Sequence, residues 1–140
     1  MKKTILLLLA AVLCLGLCIL LTGCFGSGSS DLPTLRDLSW EGTELTVTLG
    51  ANKSTGCEWT VDIADDSVID YSINRKFTLV GNSAGEAVGR SAIGFEGQGE
   101  GTTTITLTTP NGWDGSGEGY TYPVTVTVNA DGTIQNATGE

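Results

Sequence analysis

The chain contains no histidine. Without an imidazole, neither a Ser-His nor a Cys-His nucleophile pair can be assembled, and a His-ligated zinc site is excluded as well. Cysteine is scarce: Cys14 and Cys18 lie in an apolar leader, Cys24 ends it, and Cys57 stands alone in the body of the chain. No disulfide can close within that body, so the fold must rest on its core. Basic residues are few, seven Lys and Arg against 16 Asp and Glu, for a net charge of −9. A surface of that sign repels phosphate backbones and argues against nucleic acid as a partner. A carboxylate-only enzyme such as a glycosidase needs two acids facing across a groove, and no such pair is marked here. Asp62, Asp65, Asp66 and Asp70 offer oxygens to a cation, but the Gly and terminal Glu of a calcium loop are missing. They read as an exposed acidic turn, and neither a cofactor nor a metal is implied. Helical periodicity is also lacking throughout the body.

The leader does have a pattern. Lys2 and Lys3 precede an uncharged apolar run from Ile5 to Leu21, the layout of a signal peptide. Its end, Leu21-Thr22-Gly23-Cys24, resembles a bacterial lipobox. That resemblance implies cleavage before Cys24 and lipidation of its thiol; the alternative is an uncleaved anchor. Residues 1–23 are therefore expected to be a lipoprotein signal peptide, and residues 24–34 a lipidated Cys with a flexible Gly/Ser tether. Residues 35–130 would form the domain and residues 131–140 a short tail with little to pack. Removing the leader leaves 117 residues, with five basic against 16 acidic and hence a net charge of −11. That length suits one compact domain. The expected location is outside the cytoplasm, lipid-anchored to the bacterial cell membrane, as a monomer.

From residue 40 onward, apolar and polar residues alternate with period two. Leu45, Val47 and Leu49 share one face, Trp59, Val61 and Ile63 another, then Ile105 with Leu107, and finally Tyr122, Val124, Val126 and Val128. Thr fills the opposite faces, and Gly, Asn and Asp clusters separate the runs. The fold class this predicts is all-β, an immunoglobulin-like antiparallel sandwich. Pro123 cannot donate to a ladder, so its strand is expected at an edge, or to begin at Val124. Three stretches are richer than turns need to be: Asn52 to Trp59, Val80 to Ser91, and Thr109 to Gly119. In a Greek-key sandwich such loops can gather at one end, where a recognition site is commonly built.

In order, these stretches resemble the chagasin-like inhibitors of papain-family cysteine peptidases. "NKSTGCEW" stands where that family has Asn-Pro-Thr-Thr-Gly, an aromatic, any residue and Trp. Val80-Gly81 and the glycines beyond match its Gly-rich second loop, Gly101 to Leu107 its following strand, and Pro110-Asn111-Gly112-Trp113 its Arg-Pro-Trp loop. The resemblance spans about residues 35 to 128. It implies an inhibitor, without catalytic residues of its own, that fills a peptidase cleft with three loops. The binding residues carried over are Asn52, Ser54, Thr55 and Gly56; Gly81, Gly85 and Gly89; and Pro110, Asn111, Gly112 and Trp113. Thr55 would lie nearest the catalytic pair, and Gly56, lacking Cβ, permits close approach. A bulky residue at Thr55 or Gly56 should then spoil inhibition without disturbing the fold.

Trp59 reads as core under the first loop. Trp113 either packs on an aromatic flank of the cleft or folds back on the sandwich rim. The second loop either drapes along the cleft or touches nothing. Three departures stand out. Lys53 replaces proline and should leave the first loop less rigid. Cys57 replaces an aromatic; it is expected to pack as a small hydrophobe, with a redox-sensitive thiol as the sharper alternative. The third loop lacks its arginine. The competing function is an Ig-like surface lipoprotein that grips polysaccharide or a protein partner with the same loops.

Overall fold

The period-two runs become strands that pair antiparallel into two sheets. The computed structural model describes residues 29–72, 75–80 and 87–140; the leader, Cys24, Gly81 and Gly85 lie outside the described residues. In chain order the strands are β1 Arg36–Glu41, β2 Glu44–Asn52, β3 Thr60–Ile63, β4 Ile69–Tyr71, β5 Lys76–Leu79, β6 Val88–Gly97, β7 Gly101–Thr108, β8 Thr121–Val128 and β9 Ile134–Gly139. One sheet has the order β1-β2-β6-β4, with β5 also pairing β6; the other runs β3-β7-β8-β9. The all-β sandwich expected from the alternation is what forms.

Register puts the apolar sets on the facing surfaces. Leu45, Val47, Leu49, Ile93 and Phe95 of one sheet meet Ile105, Leu107, Val124 and Val126 of the other, all at 0% exposure. Each such side chain contributes about 1.5–3 kcal/mol by leaving water. A one-residue slip would turn these sets outward, so the burial fixes the register, and with it where each strand ends.

Three expectations about the edges are corrected. The tail is not loose: β9 pairs with β8 from Val124↔Gly139 to Val128↔Ile134 and buries Ile134 and Ala137. Two apolar residues three apart gave no alternation to read, because the register shifts between Thr127 and Val128. Pro123 is not on an edge strand, nor does β8 wait for Val124; β8 starts at Thr121 and lies between β7 and β9. The Pro123 carbonyl accepts from the Glu140 N–H at 3.2 Å, at the very end of β9, so the donor it lacks falls where its neighbour is running out. Finally, packing begins before residue 35. Ser29–Thr34 is a short 3-10 helix, and Leu32 is 1% exposed. Gly50 makes room for it, since a Cβ at Gly50 would lie 1.6 Å from the Leu32 carbonyl oxygen.

Candidate functional site

β2 ends at Asn52, β6 begins at Val88, and β7 and β8 flank residues 109–120, so these connections share one end of the sandwich. The opposite end carries the turns near Gly42, Gly97 and Gly132, whose backbones hydrogen-bond to one another's neighbours.

Loop one is a tight hairpin. Asn52 and Cys57 form an isolated antiparallel bridge with reciprocal N–H to carbonyl bonds of 3.0 Å. Between them Lys53–Thr55 makes one 3-10 turn, with the Asn52 side chain accepting from the Ser54 N–H at 3.2 Å. Gly56 closes the turn at φ +76°, in the left-handed region that side chains avoid. A Cβ there would also meet Asn111 Nδ2 at 2.6 Å. The expectation that bulk at Gly56 leaves the fold untouched is therefore corrected for strain and for contact.

Loop three folds onto loop one. Asn111 Nδ2 donates to the Thr55 carbonyl at 3.1 Å, the Thr55 hydroxyl donates to the Trp113 carbonyl at 3.0 Å, and Asn52 Nδ2 donates to the same oxygen at 3.1 Å. Within loop three, the Gly112 N–H donates to the Ser116 carbonyl at 2.9 Å. The Ser116 backbone N–H and hydroxyl hold the Asp114 carboxyl below its ordinary range. The Trp113 N–H donates to the Tyr120 hydroxyl at 3.2 Å, and Trp113 itself is half-buried, while Pro110 is exposed. Trp113 is thus tied down through its backbone and left half-buried.

The foot of loop two joins from the other side. The Lys53 N–H donates to the Ala87 carbonyl at 2.9 Å, and the Ala87 N–H donates to the Ser54 hydroxyl at 2.7 Å. Gly89, paired with Ala51, is buried. Proline at position 53 would have no N–H to give Ala87. The Lys53 ammonium lies 3.6 Å from a Glu58 carboxylate oxygen and 4.5 Å over the Phe77 ring. The substitution expected to loosen loop one instead supplies it with a backbone bond and two side-chain contacts.

Under the loops lies a layer of aromatics. Trp59 is 1% exposed, its ring N–H donates to the Gly50 carbonyl at 2.7 Å, and its ring stacks with Tyr120 at 6.4 Å. Trp59 is core, as its strand position implied. Thr109 and Arg36 were not singled out by sequence. Thr109 and Tyr120 exchange two bonds across the neck of loop three, at 2.9 and 2.8 Å. An aromatic directly after a Gly-rich loop was the only available signal for Tyr120.

Cys57 is 0% exposed. It packs under the loop, as expected of a small hydrophobe. Burial pushes its thiol above its ordinary value of 9.0, although the Asn52 backbone, Arg36 and Thr109 pull the other way. Because the folded thiol holds its proton where the unfolded one releases it, stability should fall as pH rises past about 9. Below that pH both states are protonated and the thiol has no effect. With Cys14, Cys18 and Cys24 replaced by alanine, native Cys57 should accordingly react with an aromatic disulfide reagent at pH 8 at least about 100-fold more slowly than the same thiol in urea. Equal rates would show the thiol to be accessible.

The family model described as Chagasin family peptidase inhibitor I42 matches residues 40–128. No curated protein and no solved structure matches the chain.

Proposed function

Because the chain belongs to the chagasin family, whose members inhibit cysteine peptidases and are not enzymes, we propose that it acts by lodging loops one, two and three in the cleft of a papain-like peptidase. The observation that carries this reading is the bond set joining Asn52, Thr55, Asn111 and Trp113. It makes two loops, 56 to 61 residues apart in sequence, into one ordered ridge. A ridge already ordered loses less conformational entropy on docking than two independent loops. Thr55 and Gly56, half-buried on this ridge, present little side chain, so backbone approaches the reactive thiol without offering a scissile bond in register. Trp113, half-buried, is the aromatic anchor for the flank of the cleft.

The Lys2-to-Cys24 pattern supports a second element of the proposal: lipid on Cys24 tethers the inhibitor outside the cytoplasm. Metabolic labelling with a palmitate analogue, lost on Cys24→Ala, tests it; a chain that remains unlabelled and soluble would count against it. For the inhibition itself, papain and cathepsin-like enzymes are titrated with the chain. Stoichiometric loss of peptide hydrolysis is expected, whereas unchanged hydrolysis at micromolar chain across several such enzymes would discard the cleft mechanism.

A further inference from the structure

We propose that Arg36 is a positioning residue that fixes loops one and three in one geometry before any peptidase arrives. Arg36 lies outside the span that the family model matches, residues 40–128. It opens β1 and pairs with Leu49, three residues before Asn52. Its guanidinium carbon sits 4.7 Å from the Trp59 ring centroid, 5.6 Å from Tyr120 and 5.7 Å from Tyr122. Its Nη1 donates to the Leu35 carbonyl at 2.7 Å and to that of Pro33 at 3.5 Å. Among the described residues no carboxylate pairs with Arg36, and the aromatic faces take its place. Partial burial lowers its pKa; a guanidinium nevertheless stays charged through the physiological range.

Two of the three rings are loop roots. Trp59 follows Cys57 by two residues and locks onto the β2 backbone through Gly50. Tyr120 closes the neck of loop three and holds the Trp113 N–H with its hydroxyl. A single planar cation stacked against both ties the orientation of one ring to that of the other. An apolar side chain of equal length would fill the space without the attraction of charge to ring faces. The backbone bonds to Pro33 and Leu35 brace the guanidinium from behind.

The test compares Arg36→Met, Arg36→Lys and Tyr120→Phe in the whole chain, held in mild detergent where lipid is present. Residue-resolved amide exchange is expected to accelerate about tenfold at Trp113 and Cys57 in Arg36→Met, with Ile93 and Val126 unchanged. Arg36→Lys, keeping a cation over the rings, should recover most of that protection. Adding Arg36→Met to Tyr120→Phe should open Trp113 no further than Tyr120→Phe alone, because both act through the same hydroxyl. Unaltered loop exchange, equal acceleration in the core, or independent addition of the two substitutions would each overturn the proposal. If Arg36→Met does not fold, Arg36→Lys decides. Loop exchange between that of wild type and of Tyr120→Phe, with a protected core, supports the role; uniform acceleration overturns it. Any weakening of peptidase inhibition by Arg36→Met should match the fall in the ordered-loop population that exchange reports, and should be expressed as slower association. That last readout rests on the inhibitory reading. A wild-type chain that inhibits nothing would sink that reading alone, and exchange would still decide the role of Arg36.

Discussion

Replacing Gly56 by alanine is expected to weaken inhibition of a papain-like peptidase by about 30–100-fold while lowering the thermal midpoint by only a few degrees. Two effects combine. The φ of +76° places Cβ against the following carbonyl, at a cost of about 1–2 kcal/mol for a non-glycine residue. The same Cβ would stand 2.6 Å from Asn111 Nδ2, so the bond from Asn111 to the Thr55 carbonyl lengthens or breaks, losing about 0.5–1.5 kcal/mol. The free loop relaxes to escape both, and docking must restore what relaxation released. With about 1.4 kcal/mol to each factor of ten, the sum accounts for the expected weakening. The sandwich below is scarcely involved, since Gly56 is at its end rather than in its core. Alanine at Gly117 is the control: nothing lies within 4 Å of its Cβ, and inhibition should hold. Equal potency of the Gly56 and Gly117 variants would show that the ridge geometry is irrelevant to binding.

Trp59→Ala should cost the most stability, about 3–5 kcal/mol from the lost packing alone. Its ring is the largest fully buried side chain. Its removal also leaves the Gly50 carbonyl without the 2.7 Å donor and Arg36 without its nearest ring. For a domain of this size the midpoint should fall by on the order of 15 °C or more. Trp59→Phe keeps most of the ring but loses the donor, and should cost about 1–3 kcal/mol for the orphaned carbonyl. Urea unfolding followed by far-ultraviolet dichroism measures both, with similar slopes against urea marking a change in stability rather than in the denatured state. If Trp59→Ala unfolds at the wild-type urea concentration, Trp59 is not the root of the loop end.

The sandwich was legible because its alternation is strict where both sheets bury one face, as in Leu45-Val47-Leu49 and Val124-Val126-Val128. It ceased to be legible wherever burial departs from period two. Ile134 and Ala137 are three apart across a register shift, so β9 read as tail. Leu32 lies in a 3-10 helix outside any alternation, and its burial depends on Gly50 receding from it. At the loop end, the family-like order of residues marked Asn52 to Gly56 and Pro110 to Trp113, and these do meet through Asn111 and Thr55. Two contributions were not legible. Lys53 looked like a loss of stiffness, because a backbone N–H donated to Ala87 is invisible in a side-chain comparison. Arg36 carried no signal in the sequence, because a cation stacked on three rings exists only once two sheets bring those rings together.

The central claim, that the loop ridge covers a peptidase's reactive thiol without reacting, is tested most directly by alkylation of that thiol. Papain is mixed with excess chain and given iodoacetamide, and modification of its catalytic cysteine is followed by mass spectrometry. Cys57, 0% exposed, should not compete for the reagent. Protection rising in step with loss of hydrolysis is the expected result. Hydrolysis blocked while the thiol alkylates at its free rate would contradict the account, placing the chain somewhere other than the catalytic cleft.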